Sequence, residues 1–191
     1  SPYYDQFIPE ILREIINHAA PEGFADNSWT GLDRYHICYC DYCKRSFKKA
    51  TGNNLPRKVD WDDPVYREWV TWNYDRRLEI WDLNNRTVKE SAGDDCLWVG
   101  MISGDIFSAS TRFLDVRSLC RRAEMILLDN QSRNNTTGFQ RNGHTGVLIN
   151  QLLGWETLTT ESMSMYMHAR RPFRVASKPE PEARMWVVAG F

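Results

Sequence analysis

Short apolar runs alternating with segments of helical spacing constrain this chain more than any other feature. Gly23-Phe24-Ala25, Leu97 to Ile102 and Met125 to Leu128 each read as a buried strand, with Phe173 to Ala176 a further one. Strands that are apolar on both faces pair in parallel, because the helices that connect them cover the sheet. Two α/β architectures satisfy this pattern, an open doubly wound sheet and a closed barrel. The chain has neither a Gly-x-Gly-x-x-Gly turn nor a Gly-x-x-x-x-Gly-Lys-Ser/Thr loop, which disfavours dinucleotide and nucleoside triphosphate binding. The expectation is therefore a TIM (β/α)8 barrel, present in part, with its chemistry at the C-terminal ends of the strands.

The intervening helices carry their own signals. Phe7, Ile8, Ile11, Leu12, Ile15 and Ile16 place an apolar face on residues 5 to about 19, stopping before Pro21. A basic helix is predicted from Cys40 to Thr51, closed by Gly52. The clearest helix starts at Asp62-Asp63-Pro64, where a carboxylate caps free amides and proline is tolerated, and runs to about Glu90 before Gly93. Further helices are expected over Phe113 to Arg122, about Gly143 to Leu153, and Pro181 to Ala189. Residues 130 to 142 form a long polar loop, and Glu161 to Met167 is ambiguous between strand and loop. No short repeat or linker divides the chain, so a single domain over 1–191 is the simplest organisation.

Composition narrows the function classes. Lys and Arg total 24 against 25 Asp and Glu, giving a net charge of -1, which argues against nucleic acid or an anionic membrane surface as partner. No apolar run reaches the roughly 18 residues of a membrane span. Aromatic residues make up 13% and include eight Trp, enough for either a broad core or rings that stack on a ligand. Five cysteines, an odd number, do not read as a disulfide framework, and a reducing compartment such as the cytoplasm or a bound metal fits them better.

Cys38, Cys40 and Cys43 fall within six residues and can turn three thiolates toward one centre. Tetrahedral zinc needs a fourth ligand, for which His36, Cys96 and Cys120 are the candidates, a ligand from outside this piece of chain being the other alternative. Such a zinc staples a loop rather than catalysing; three reduced thiols without metal are the bland alternative.

Carboxylates that end different parallel strands converge on one pocket, the arrangement that hydrolysis of a glycosidic bond requires. Asp26 is the sharpest candidate, with Asn27 to bond a sugar hydroxyl and Trp29 to stack on a sugar face. Asp129 ends a later strand beside Gln131 and Arg133, a second polar cluster. Glu161, Glu180 and Glu182 are the remaining acids, although negative charge near a helix start also explains Glu180 and Glu182. No Ser sits in a Gly-x-Ser-x-Gly elbow, and the four His lack an evident nucleophile partner.

The segment Glu22-Gly23-Phe24-Ala25-Asp26-Asn27-Ser28-Trp29, followed by Cys38-Tyr39-Cys40-Asp41-Tyr42-Cys43, resembles glycoside hydrolase barrels related to family 42 β-galactosidases and family 151 α-L-fucosidases. Gly52-Asn53-Asn54-Leu55-Pro56 and Trp69-Val70-Thr71-Trp72-Asn73-Tyr74 extend the resemblance over most of the chain. It implies a TIM barrel, a structural zinc on the cysteine run, and a strand-end Asp followed by Trp as nucleophile, which carries over onto Asp26 with Trp29 beside it. Family 42 places its acid/base Glu after an Asp-Asn pair; Ser28 stands there in this chain, so that role does not transfer.

The expectation is thus a retaining glycosidase cleaving a terminal fucoside or galactoside, with no catalytic cofactor. A non-catalytic carbohydrate-binding barrel and a zinc-stapled interaction module are the alternatives. A complete barrel takes about 250 residues, so a longer protein, complementing segments or self-association is expected to cover the open sheet edges.

Overall fold

The computed structural model describes residues 2–26, 33–103, 106–130, 148, 151 and 158–162. After a π-helical turn over Tyr3–Phe7, α1 (Ile8–Ala19) buries Pro9, Leu12 and Ile16, and left-handed Ala20 ends it before Pro21. Strand β1 (Gly23–Asp26) follows, then α2 (Asp41–Thr51), whose last turn is closed by Gly52 at φ 79°. The 29-residue α3 (Pro64–Ala92) is about 44 Å long at the usual helical rise. It starts where Asp63 Oδ1 accepts the Val65 N–H at 2.8 Å and stops at Gly93. Then come β2 (Leu97–Ser103), α4 (Ile106–Thr111), α5 (Val116–Cys120), β3 (Ile126–Asn130) and β4 (Leu158–Ser162).

The four strands form one parallel sheet in the order β1-β2-β3-β4. Gly23 pairs with Leu97 at the start of the β1–β2 register, and a Cβ added there would lie 3.0 Å from the Leu97 carbonyl oxygen. A side chain at this position would crowd the Leu97 backbone by a few tenths of an ångström, whereas the dihedrals of Gly23 make no special demand.

Two apolar cores flank this arrangement, and α3 enters both. Its C-terminal half places Trp81 and Val88 in a core with Leu12 of α1, Trp98 of β2, and Leu119 and Cys120 of α5. Its N-terminal half places Tyr66, Trp69 and Val70 in a second core with Phe47 of α2 and Phe113. Edge-to-face rings hold the latter together, with Trp69 and Phe113 centroids 5.4 Å apart and Phe47 and Trp72 5.5 Å apart. Among the described residues, no helix is long and apolar enough to cross a membrane.

Among the described residues the expected TIM (β/α)8 barrel is not formed: helix predominates there, and the four described strands make an open sheet in which β1 and β4 are not paired to each other. Alternation of strand and helix dictates parallel pairing but carries no information on closure, which depends on strand number and stagger across the whole sheet. The predicted helix over 113–122 is likewise corrected. Phe113 adopts φ 62° to put its ring in the second core, so the chain reverses there and a shorter helix restarts from the Asp115 cap. The helix α4 just before this reversal, with Ser108, Ser110 and Thr111 among its residues, has no counterpart among the helices expected from the sequence. The expected helices over 143–153 and 181–189 and the strand over 173–176 lie outside the described residues, apart from 148 and 151.

Candidate functional site

The cysteine run folds onto itself because its backbone changes state at Cys40. That residue is extended, at φ -62° and ψ 154°, and serves as the N-cap of α2. The first helical turn then brings Cys43 back, with its N–H donating to Cys40 Sγ at 3.5 Å. Cys38, two residues earlier on the extended side, completes a cluster whose three sulfurs lie within 4.8 Å of one another. Three sulfurs on a tetrahedral zinc, at about 2.3 Å from the metal, stand roughly 3.8 Å apart, so the cluster needs little contraction to hold one. The donor set fits a soft or borderline cation, and the free amides of the α2 N-terminus favour negative charge beside it.

The thiols are not equivalent. Burial pushes Cys43 up to about 12, reinforced by its hydrogen bonds and charge interactions with Cys40 and Cys38. Cys40 is exposed, and the Cys43 N–H at its sulfur holds it below the ordinary thiol value. A bound cation replaces the protons these groups otherwise carry.

The same three cysteines line a cavity of about 320 Å³ together with His36, Tyr42, Trp72 and Arg76. Its walls are tied by long-range polar contacts. Tyr42 donates to Asp5 Oδ2 at 2.8 Å, Arg76 pairs with Asp5 as well, and its other arm meets Glu79 at 2.8 Å. One helical turn beyond Cys43, Phe47 is fully buried and locks α2 onto α3. Sequence spacing gave no hint of this network, because its members are 37 and 71 positions apart.

The strand-end acids separate into two rows. Asp26 is the last residue of β1 and pairs with Gly100, on a row continued by Ile126 and Leu158. Three residues further along, Ser103, Asp129 and Glu161 share a row, so Asp129 and Glu161 are direct cross-strand partners. Neighbouring strands lie about 4.8 Å apart, whereas Asp26 is two strands and three residues from Asp129, about 14 Å between Cα atoms. The backbone therefore brings Asp129 and Glu161 together and leaves Asp26 apart from them. Glu180, Glu182, Asn27, Trp29, Gln131 and Arg133 lie outside the described residues.

Asp33 had no role in the sequence reading, although it lies three positions before His36. Its Oδ1 takes the His36 Nδ1 at 2.7 Å and accepts the Tyr35 N–H at 2.9 Å. Its carboxyl is held below the ordinary aspartate value, chiefly by the His36 hydrogen bond. Of the other two candidate ligands, Cys96 is buried in the first core with its thiol donating to the Pro21 carbonyl at 3.2 Å, and Cys120 is buried in the same core. Burial pushes Cys120 up to about 11. Both stand in a different core from Phe47 of the cysteine-bearing helix.

No protein-family model, curated protein or solved structure matches the chain.

Proposed function

We propose that the chain carries a glycoside hydrolase site of the retaining kind, acting on a terminal fucoside or galactoside, with Asp129 and Glu161 as its carboxylate pair. The observation that supports this reading is their direct register on adjacent parallel strands, one residue before the C-terminal end of each. Ligands of parallel α/β sheets collect outside that edge. A retaining pair works at a carboxyl separation of about 5–5.5 Å, and adjacent strands supply a spacing of that order. In the reaction one carboxylate attacks the anomeric carbon as the other protonates the leaving oxygen. The second then takes a proton from a water that attacks the anomeric carbon, and the bond from that carbon to the first carboxylate breaks, which releases the sugar. Asp26, the nucleophile by resemblance, is too remote for that pair and is assigned to substrate hydroxyl contacts at the same sheet edge. The cysteine run, holding zinc, fixes α2 against α3 and takes no part in the sugar chemistry.

Hydrolysis of nitrophenyl α-L-fucoside and β-galactoside is the test. Asp129→Asn and Glu161→Gln are each expected to lower kcat at least about 1,000-fold with an unchanged far-ultraviolet spectrum, and Asp26→Asn to raise KM more than it lowers kcat. A kcat loss confined to Asp26→Asn returns the nucleophile to that residue and rejects the pair. The cysteine cluster favours a second reading, a zinc-stapled interaction module. Zinc at one per chain, with neither sugar turnover nor sugar binding, selects that reading.

A further inference from the structure

We infer that His36 is the fourth metal ligand of the cysteine cluster, coordinating through Nε2, and that Asp33 is the residue that orients its ring. The inference rests on the reading that Cys38, Cys40 and Cys43 hold a metal, and adds to it the identity of the donor that completes the tetrahedron.

The first support is elimination. Among the described residues that line the cavity with the three cysteines, His36 is the sole imidazole, and none is a carboxylate; the others are tyrosine, tryptophan, phenylalanine, serine, asparagine, arginine and isoleucine. Cys96 and Cys120 are committed to the first core. The second support is the hydrogen bond at the other nitrogen. A ligating histidine donates its second ring N–H to a carboxylate or carbonyl, which fixes the tautomer and turns the remaining lone pair toward the metal. His36 Nδ1 stands 2.7 Å from Asp33 Oδ1, which assigns the proton to Nδ1 and leaves the lone pair on Nε2. Asp33 is itself anchored, since its Oδ1 accepts the Tyr35 N–H and its carbonyl accepts the His36 N–H at 3.0 Å. An otherwise exposed histidine thus has its ring direction set by a short turn.

The third support is chain geometry. His36 is two residues from Cys38, on a stretch over residues 36–39 that belongs to no helix or strand. The imidazole lines the same cavity but does not yet stand among the converged sulfurs, so this stretch must carry the Asp33–His36 pair toward them when metal binds. The ligand set is then His-x-Cys-x-Cys-x-x-Cys, a closed three-sulfur, one-nitrogen zinc site of structural type.

Zinc affinity measured by competition with a chromophoric chelator, with cobalt spectra of the same proteins, tests the assignment. The full chain is prepared metal-free under reducing conditions. Wild type is expected to bind one zinc and to give a tetrahedral cobalt spectrum with thiolate charge transfer, and X-ray absorption to fit three sulfurs and one nitrogen. His36→Ala should weaken zinc at least about 10-fold and replace the nitrogen by water oxygen. Asp33→Asn should weaken it by about 10-fold with the nitrogen retained. His36→Cys should restore tight binding with a four-sulfur spectrum, which a merely structural role of the histidine would not produce. Wild-type affinity and an unchanged cobalt spectrum in His36→Ala overturn the assignment while leaving the three-cysteine site standing. A wild-type chain that takes up no zinc overturns both.

Discussion

Replacing Phe47 by alanine tests whether the cysteine-bearing helix is held by its apolar anchor. The ring is fully buried, packs edge-on to Trp72 at 5.5 Å and belongs to the core of Tyr66, Trp69, Val70 and Phe113. Truncation removes the transfer energy of the side chain and leaves a cavity, together about 3–5 kcal/mol. The edge-to-face contact, worth about 0.5–1.5 kcal/mol where measured, places the site in the upper half of that range. For a chain of this size the midpoint should fall by roughly 6–20 °C. Urea unfolding followed by tryptophan fluorescence and far-ultraviolet dichroism measures the loss, with Lys49→Ala on the exposed face of the same helix as the control, within about 0.5 kcal/mol of wild type. Zinc affinity should fall in the same variant, because Cys40 and Cys43 start the helix that Phe47 anchors. A loss below about 1 kcal/mol, with zinc binding unaffected, would refute the packing of α2 on α3.

Two further substitutions probe the frame. Asp115 caps α5 through Ser118, accepting its N–H at 3.1 Å and its hydroxyl at 2.6 Å. Burial opposes ionisation of the carboxyl, but these bonds outweigh it and depress the value below that of an ordinary aspartate. A depressed value stabilises the fold above the unfolded-state pKa, and the benefit disappears as pH falls through the folded-state value. Asp115→Ala should therefore cost about 0.5–2 kcal/mol at neutral pH, and its deficit should shrink toward pH 2; a deficit independent of acid contradicts the cap. Gly23→Val should lose about 1–3 kcal/mol in thermal unfolding, since its Cβ would meet the Leu97 carbonyl at 3.0 Å and the Leu97 Cβ at 3.3 Å. Unchanged stability there would place β1 differently against β2.

Local chemistry made some of this structure legible in the residues. Asp63-Pro64 and Gly93 bound α3 because capping and helix arrest act within a few positions, and Gly52 closes α2 for the same reason. Strands β1, β2 and β3 begin within one residue of their apolar runs. What failed was long-range. Closure of the sheet, the split at Phe113 and the Tyr42–Asp5–Arg76 network all depend on residues distant in the chain. At the site, the spacing of Cys38, Cys40 and Cys43 pointed to their cluster, because one extended step and one helical turn suffice to gather them. The pairing of Asp129 with Glu161 needed the strand register, and β4 starts three residues before the ambiguous segment that contains Glu161.

Because α3 contributes tryptophans to both cores, neither half can melt while its neighbour stays intact without fraying a shared beam. Proteolytic nicking within that beam should release no durable fragment, and a blow to the aromatic end should be felt at the sheet.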